Sequence, residues 1–424
     1  MSCNNYLELL KREVIPAFGC TEPIAVALAA SIAADTLNKA PQKIEVLLSA
    51  NMLKNAMGVG IPGTGMTGVS IAATLGAIGG NSKAILEVIK NVTAKDIDVA
   101  KKMVNEKKVR VNLKKTSEKL YIEVICSYDE NSSRVIIKGT HTNVVLIELN
   151  GNVILNKDDI PSLNQVDDEC IELSVKKIYE YAQSVCLEDV DFLLKGAKMN
   201  KIVSDEGLKN DYGLRVGKSI LQNAKTGPFA GDLTSFIVSV TAAASDARMA
   251  GCSLPVMSTA GSGNQGITAS LPAYAVAMKL DKSDEELTRA LVISNLMTIY
   301  IKNYLGRLSP LCGSGIAATT GSSCAITYLL GGELKNINFA IKNMIANVTG
   351  VICDGAKSGC SLKIASGVSA AVQSAILAIN GVEATDNDGI IDNDVDKTVR
   401  NLGIIGTKGM FETDSVILQI MTDK

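Results

Sequence analysis

Cys20 is the first of four cysteines that stand where a thiol could do chemistry. It lies in the segment Gly-Cys-Thr-Glu-Pro, directly before an apolar helical pattern. Thr21 is the expected helix cap, and Glu22 and Pro23 suit a first helical turn. A thiol at a helix N-terminus meets the positive end of the helix dipole, which lowers its pKa and favours the thiolate. This setting predicts a nucleophile or base at Cys20, with a small buried side chain as the alternative.

Three further cysteines stand at glycine-bearing loops that lead into helical patterns. Cys312 precedes Gly-Ser-Gly, and Cys353 and Cys360 enclose the loop Asp-Gly-Ala-Lys-Ser-Gly. Helix N-termini that point at one spot favour an anion, and a thiolate-ligated iron–sulfur cluster is anionic. On spacing alone the alternatives stay open: a cluster, a zinc site or three unrelated core residues. The other six of the ten cysteines lack such surroundings, and we expect them to be small core residues. They are Cys3, Cys126, Cys170, Cys186, Cys252 and Cys324.

A dense polar glycine loop at 259–266 precedes another apolar helical pattern. Its backbone amides and small side chains could hold a carboxylate. It is not a phosphate-binding P-loop, because no Gly-Lys-Ser/Thr follows. The alternative is a plain helix connector, but buried Asn and Gln side chains need polar partners, which favours a substrate site. The predicted substrate-binding residues here are Gly261, Ser262, Gly263, Asn264 and Gln265.

Two charged or titratable residues are further candidates. Arg248, in the segment Ser-Asp-Ala-Arg, could fork onto a substrate carboxylate or form a structural salt bridge. His141 is the only histidine, so no His-rich metal site can exist. Its pKa would suit proton transfer, but a lone histidine is more often structural, and we assign it no role.

The composition excludes several classes of protein. Lys and Arg number 42 against 44 Asp and Glu, so no basic surplus predicts nucleic acid or anionic lipid as a partner. Three uncharged runs are long enough to span a membrane, but Gly, Ser, Thr, Asn and Pro within them predict loops and helix starts. The N-terminus has no apolar signal segment, which predicts a cytoplasmic protein with reduced thiols.

The pattern along the chain predicts an α+β fold. Residues 5–38 indicate two helices around a break at 16–20, and 44–48 indicates a strand. Short β-branched runs between 109 and 155 predict an antiparallel strand meander, followed by a charged connector at 156–168. Helical patterns then continue to the end. We therefore predict a small α/β domain at 41–165, a large all-α catalytic domain at 190–424, and a helical segment at 1–40 that packs on the larger domain.

Four motifs in order, GCTEP, PVMSTAGSGNQGI, LCGSGIAA and CDGAKSGCSLK, resemble the L-cysteine desulfidase family, which is related to the iron–sulfur L-serine dehydratases. The resemblance covers nearly the whole chain. It implies a pyridoxal-free lyase that cleaves L-cysteine to pyruvate, ammonia and sulfide by α,β-elimination. It also implies a [4Fe-4S] cluster held by Cys312, Cys353 and Cys360, with Cys20 as the active-site thiol.

One departure from the related serine dehydratases concerns the C-terminus. In some of them a C-terminal cysteine reaches back to the cluster, whereas this chain ends Gln-Ile-Met-Thr-Asp-Lys. Our hypothesis is that three protein ligands leave one iron open to act as a Lewis acid, while Cys20 as thiolate removes the α proton. L-serine as substrate, and a non-enzymatic iron–sulfur sensor or amino-acid-binding protein, stay open as alternatives. The expected partner is a small amino acid, and the sequence leaves open whether the chain forms a homo-oligomer.

Overall fold

A computed structural model describes residues 4–157, 172–227 and 231–423, which form a six-stranded sheet with its own helices and a larger helical region. The strands are β1 (Pro16–Ala17), β2 (Lys43–Leu48), β3 (Val109–Leu113), β4 (Tyr121–Tyr128), β5 (Asn131–Lys138), β6 (Val144–Leu149), β7 (Asn152–Asn156) and β8 (Val256–Met257). The helices are α1 (Asn4–Glu13), α2 (Thr21–Leu37), α3 (Ala50–Ala56), α4 (Val69–Gly79), α5 (Ala94–Asn105), α6 (Val175–Ser184), α7 (Leu187–Lys209), α8 (Val216–Thr226), α9 (Leu233–Met249), α10 (Gly263–Lys279), α11 (Asp284–Leu305), α12 (Thr319–Leu329), α13 (Leu334–Val348), α14 (Cys360–Ile379), α15 (Val395–Ile404) and α16 (Thr413–Thr422).

The sheet has the strand order β3-β2-β4-β5-β6-β7. Strands β4 to β7 form the predicted antiparallel meander, since each pairs antiparallel with the next. Strand β3 differs from the meander that we predicted, because it pairs parallel with β2 at the sheet edge. Helices α3, α4 and α5 lie between β2 and β3 in the chain and supply the long crossover that a parallel pair requires. The α+β prediction, with a large helical region, is confirmed.

Helix α2 packs against this sheet and against α4. Ile24, Val26 and Leu28 are buried in one core with Val46 and Val124 of the sheet. This placement is contrary to our prediction that the first 40 residues pack on the helical region. Helix α2 is apolar on all sides and is buried on all sides, so its sequence does not show which neighbour it packs against. Helix α1 does lie in the helical core, through Leu9 and Leu10, and Val14 directly after it lies there too. The division of the chain into domains stays a prediction.

The helical region is built around α11, which contributes buried residues along its whole length, and around α9, α10, α12 and α14. Alanine and glycine let these helices approach closely, which explains how so large a core forms with only 4% aromatic residues. Within the part of the chain that the structure describes, only α14 is long and apolar enough to cross a membrane, and half of that stretch is buried in the protein. A buried core helix commonly has this character.

The predicted core cysteines are mostly buried. Cys126, Cys252 and Cys324 lie in the protein interior, as we predicted. Cys186 is exposed, contrary to our prediction, because it stands at the surface start of α7. Cys3, Cys170 and most of the predicted connector at 156–168 lie outside the described residues.

Candidate active site

The predicted site residues meet in one cavity of about 100 Å³ between the sheet-bearing part and the helical region. All of them except Gly263 line the cavity. Gly263 lies directly behind it, where a Cβ atom would stand 2.4 Å from Nε of Arg248, so the close approach of this side chain requires glycine. The residues that share the cavity are Cys20, Arg248, Gly261, Ser262, Asn264, Gln265, Cys312, Cys353 and Cys360.

Cys20 itself caps α2, and Thr21 is the first helical residue, contrary to our assignment of Thr21 as the cap. The Cys20 backbone is extended, with φ −90° and ψ 134°. Its thiol donates a hydrogen bond to Oε2 of Glu22 at 3.1 Å. The Thr21 hydroxyl lies within hydrogen-bond distance of the same oxygen and of the Gly261 carbonyl, at 3.0 and 3.2 Å. The side-chain amide of Asn55 donates to the other carboxylate oxygen at 3.3 Å.

The surroundings of Cys20 raise the pKa of its thiol. Burial is the main cause, the Glu22 carboxylate adds to it, and the Arg248 guanidinium opposes both. Our prediction of a lowered pKa is therefore wrong, because the free energy lost when the thiolate is removed from water exceeds the stabilisation that one helix N-terminus provides. The thiol stays protonated at neutral pH, with Glu22 as the acceptor of its hydrogen bond.

Cys312 and Cys353 are held together by their backbones. Leu311 and Ile352 form an isolated antiparallel bridge between the two segments. On either side of it, the Cys312 amide donates to the Val351 carbonyl at 2.9 Å, and the Cys353 amide donates to Pro310 at 2.7 Å. The two segments therefore bring the thiols to one wall of the cavity, although 41 positions separate them in the chain.

Cys360 joins this wall from the start of α14. The loop between Cys353 and Cys360 turns at Gly355, whose φ is +93°. A Cβ atom there would lie 2.1 Å from the Lys54 carbonyl oxygen, so only glycine fits. Burial, together with the neighbouring Cys353 and Cys360, raises the pKa of Cys312 to about 12, as expected of three thiols that lie close together.

The donor set fits an iron–sulfur cluster. Three thiols line one cavity, and the Gly315 amide donates to Sγ of Cys312 at 3.3 Å, a contact that stabilises a thiolate ligand. Among the described residues, no group of three or more His, Cys, Asp or Glu side chains could hold a single metal ion. The fit to a cluster rests on the three thiol donors and on the Gly315 backbone amide.

Arg248 links the two sides of the cavity. One terminal nitrogen donates to Oδ1 of Asn264 at 3.2 Å, and the other donates to the Gly19 carbonyl at 3.1 Å. In the described residues it forms no salt bridge with Asp246, which instead accepts the Gly217 amide at 3.0 Å. Arg248 therefore holds the start of α2 against the start of α10.

The serine dehydratase alpha chain family matches residues 83–419, which is most of the chain. The chain belongs to this family. A UPF0597 protein of Clostridium perfringens is 49% identical over 419 residues, 99% of this chain and 98% of the relative. A UPF0597 protein of Phocaeicola vulgatus is 50% identical over 420 residues, 99% and 97% of the two chains. One of Oleidesulfovibrio alaskensis is 44% identical over 422 residues, 99% and 98%.

Membership confirms the relation to serine dehydratases that the four motifs predicted, and it indicates a lyase. The serine dehydratase alpha chain family generally depends on iron–sulfur clusters. The three cysteines of the cavity wall lie inside the matched range, whereas Cys20, Glu22 and Asn55 precede it. The similarity to the UPF0597 relatives extends over 99% of the chain.

Several cavity residues were not predicted from the sequence. His141 reaches the cavity from the turn between β5 and β6, and burial lowers its pKa, so the imidazole is neutral at pH 7. Its Nε2 atom, Oε1 of Gln265 and Oδ1 of Asn55 are buried without a hydrogen-bond partner. Buried polar atoms are rarely left unpaired, so these three indicate a polar ligand. The signal for His141 was its position as the sole histidine in a polar turn, but the sequence could not place that turn beside α2.

Lys54 supports the wall from behind. Its ammonium, 1% exposed, donates to the Cys353 carbonyl at 3.0 Å and to Oδ1 of Asp414 in α16 at 2.5 Å. Asn51 donates to the other oxygen of Asp414 at 2.7 Å. Helix α3 thereby fixes a predicted cluster ligand through Lys54 and the Glu22 carboxylate through Asn55. The C-terminal helix holds α3 in place.

Proposed function

We propose that this member of the serine dehydratase alpha chain family is an iron–sulfur-dependent lyase that cleaves L-cysteine to pyruvate, ammonia and sulfide. The observation that carries the proposal is the cavity that contains both a thiol paired with a carboxylate and three further thiols. Elimination needs a base at one end of the substrate and stabilisation of the leaving group at the other.

Cys312, Cys353 and Cys360 would hold the [4Fe-4S] cluster. When bound, the cluster would supply a Lewis-acidic iron that stabilises the departing sulfur. Around it, the chain provides the positive charge that an anionic group requires: Lys302 is buried beside the cavity, and Lys363 lies near Cys312 and Cys353. Burial lowers the pKa of Lys302 to about 8, and the two nearby cysteines oppose this shift.

Cys20 and Glu22 act together as the base. The thiol donates its hydrogen bond to the Glu22 carboxylate, so that its proton has an acceptor when the sulfur removes the α proton of the substrate. The electron pair of the broken Cα–H bond forms the Cα–Cβ double bond, and the C–S pair leaves with sulfur as hydrosulfide. The aminoacrylate product tautomerises to an imine, and water converts this imine to pyruvate and ammonia.

The polar loop before α10 would orient the amino acid. Ser262 caps α10, and Asn264 and Gln265 in the first turn line the cavity. The positive end of a helix favours a carboxylate, so we place the substrate carboxylate there. The unpaired oxygens of Asn55 and Gln265 are acceptors for the substrate ammonium group. Each terminal nitrogen of Arg248 donates one hydrogen bond, to Asn264 or to Gly19, so Arg248 positions this loop, and its buried Nε has no hydrogen-bond partner within the described part of the chain.

L-serine is the second candidate substrate, because the family match is to the serine dehydratase alpha chain. Thiolate leaves more easily than hydroxide, so elimination from cysteine needs less stabilisation of the leaving group by the iron than elimination from serine. The deciding experiment is anaerobic reconstitution of the protein with iron and sulfide, followed by turnover of L-cysteine and L-serine side by side. We expect iron–sulfur absorbance and equal amounts of sulfide and pyruvate from L-cysteine. Faster pyruvate release from L-serine would favour the dehydratase, and binding without ammonia release would favour a sensor.

The cellular compartment and the partners of the protein are also proposals. We infer that it works in the cytoplasm, where reduced thiols and an oxygen-labile cluster persist, and that it acts on a small amino acid without nucleic acid or membrane partners.

A further inference from the structure

His141 is a buried titratable residue that the proposed elimination does not use. It lines the active-site cavity and is only 8% exposed. Its Nε2 atom is buried and has no hydrogen-bond partner among the described residues. A buried imidazole nitrogen without a partner costs free energy, so one that borders a cavity is available to a molecule bound there.

The turn that carries His141 is fixed by its own hydrogen bonds. The chain turns at Gly139, whose φ is +78°, and the Gly139 amide donates to the Leu120 carbonyl at 3.1 Å. The side-chain amide of Asn143 donates to the Lys138 carbonyl at 3.0 Å, and the Lys138 amide donates to the Asn143 carbonyl at 3.1 Å. The flanking strands β5 and β6 are paired in the sheet. The imidazole is therefore held at the cavity by an ordered element, as proton transfer requires.

One carboxylate acts on both His141 and Cys20. Burial lowers the pKa of His141, the Glu22 carboxylate opposes this shift, and the Arg307 guanidinium adds to it. His141 is therefore a neutral base at pH 7, with Glu22 as a nearby anion. The same Glu22 carboxylate accepts the hydrogen bond of the Cys20 thiol at 3.1 Å. Thiol, carboxylate and imidazole thus border one cavity.

The proposed elimination leaves two protons on this part of the protein. Cys20 holds the former α proton of the substrate, and Glu22 holds the former thiol proton. The aminoacrylate product needs one proton at Cβ to become the imine. An imidazole is ordinarily a stronger base than a carboxylate, so a neutral histidine can take the proton from Glu22.

We propose that His141 protonates Cβ of the aminoacrylate inside the cavity, with the proton that Glu22 received from Cys20. Nε2 takes this proton and donates it to Cβ. The electron pair of the Cα–Cβ double bond forms the new C–H bond. The ammonium group gives up one proton, which balances the charge of the departing hydrosulfide, and the freed nitrogen pair forms the C=N bond. Cys20 ends as a thiol, Glu22 as a carboxylate and His141 as a neutral imidazole, so all three return to their starting states. This role rests on the proposed function.

The test is the stereochemistry of the methyl group of pyruvate, formed by the full-length, anaerobically reconstituted protein. L-cysteine that carries deuterium and tritium stereospecifically at Cβ gains one hydrogen there, which makes the methyl group chiral. A fixed imidazole delivers its proton to one face of the double bond, whereas aminoacrylate released into water is protonated on both faces.

The test variant is His141→Ala, and Thr142→Ala is the matched control, because Thr142 is exposed in the same turn. His141→Gln keeps a polar side chain and replaces His141→Ala if the alanine variant does not fold. Thermal melting and the iron–sulfur absorbance confirm that each variant is folded and carries its cluster.

We expect the wild-type protein and Thr142→Ala to give one methyl configuration in large excess, and His141→Ala to give nearly equal amounts of both. Sulfide release in His141→Ala should fall less than about tenfold, because the elimination itself is left to Cys20 and Glu22. Added imidazole should restore the excess in His141→Ala, which a purely structural role of His141 would not allow.

A single configuration from His141→Ala, or no excess in the wild-type protein, would overturn the role of His141 and leave the proposed elimination intact. Pyruvate from L-serine without sulfide from L-cysteine would overturn the proposed substrate, and serine labelled in the same way then decides the role of His141. Absence of pyruvate from both amino acids would overturn both proposals.

Discussion

Two helices of this protein begin with the same local arrangement, and only one of these starts lies in the candidate active site. Cys20 caps α2 and donates to Glu22 two residues later, at 3.1 Å. Cys186 caps α7 and donates to Glu188 two residues later, at 2.7 Å. Both cysteines have extended backbones and stand at the positive end of a helix. Local sequence therefore gives the two thiols the same geometry.

Their surroundings differ. Cys20 is buried in a cavity with three further cysteines, whereas Cys186 is exposed. The pKa is raised at both thiols: chiefly by burial at Cys20, and chiefly by the hydrogen bond to Glu188 at Cys186. A carboxylate two residues along the helix thus offsets the helix dipole in both places. What distinguishes a site from a surface thiol here is the set of groups that other segments bring to it.

The largest expected effect comes from exchanging the sulfur at each start for oxygen. Cys20→Ser should lower kcat with L-cysteine by at least about a hundredfold, the usual contribution of a positioned base. Cys186→Ser should leave kcat unchanged, because its thiol faces solvent. Both variants should keep the iron–sulfur absorbance. Equal losses in the two variants, or turnover that survives in Cys20→Ser, would remove Cys20 from the proposed role.

The next largest effect concerns helix α3, which supports the candidate active site and has no counterpart beside Cys186. Lys54→Met should lower the free energy of unfolding by about 2 kcal/mol, because it leaves Asp414 largely buried without its cation. It should also lower the iron retained after anaerobic desalting, since Lys54 holds the Cys353 carbonyl. Lys342→Met is the control: Lys342 is similarly buried and pairs with Glu383 at 2.9 Å away from the cavity. If both variants retain iron equally, α3 does not position the cluster loop.

A smaller effect is expected from the two carboxylates. Glu22→Gln keeps the shape but loses the charge that accepts the proton of Cys20, and we expect kcat to fall about tenfold. Glu188→Gln makes the same change at the surface start and should not alter kcat. The ratio of the two kcat values checks the pairing. An unchanged kcat in Glu22→Gln would show that Cys20 passes its proton elsewhere.

The smallest effect on function is expected from alkylation. In protein stripped of iron, iodoacetamide should label Cys186 at least about tenfold faster than Cys20, because burial limits access to Cys20 and disfavours its thiolate. Peptide mass spectrometry gives the two rates. Protein labelled only at Cys186 should recover full activity on reconstitution, and faster labelling of Cys20 would show that its cavity is open.

The sequence could predict those parts of the molecule that depend on local pattern. Alternating β-branched residues predicted the strands of the meander, and the motifs around Cys20, Asn264, Cys312 and Cys360 predicted loops that meet in one cavity. The pairing of β3 with β2 was not predictable, because a strand pattern does not carry the identity of its partner. The packing of α2 on the sheet was missed for a similar reason, since a helix that is apolar all round carries no sign of its neighbours.

The rest of the site depends on contacts between distant segments. Asn55 pairs with Glu22 across 33 positions, and Lys54 meets Asp414 across 360. No spacing rule links such residues in a single sequence. The pKa of Cys20 was predicted in the wrong direction because a helix start is visible in the sequence, whereas the depth of burial that outweighs it is not.

The central claim is that the Cys20–Glu22 pair at the start of α2 and the three further cysteines of the cavity form one catalytic site. The most direct test is the product balance of the anaerobically reconstituted protein with L-cysteine. We predict sulfide, pyruvate and ammonia in equal amounts in the wild-type protein, and none above background in Cys20→Ser with its cluster absorbance intact. A reconstituted protein that is colourless and free of iron, or one that carries a cluster and releases no sulfide, would contradict the claim.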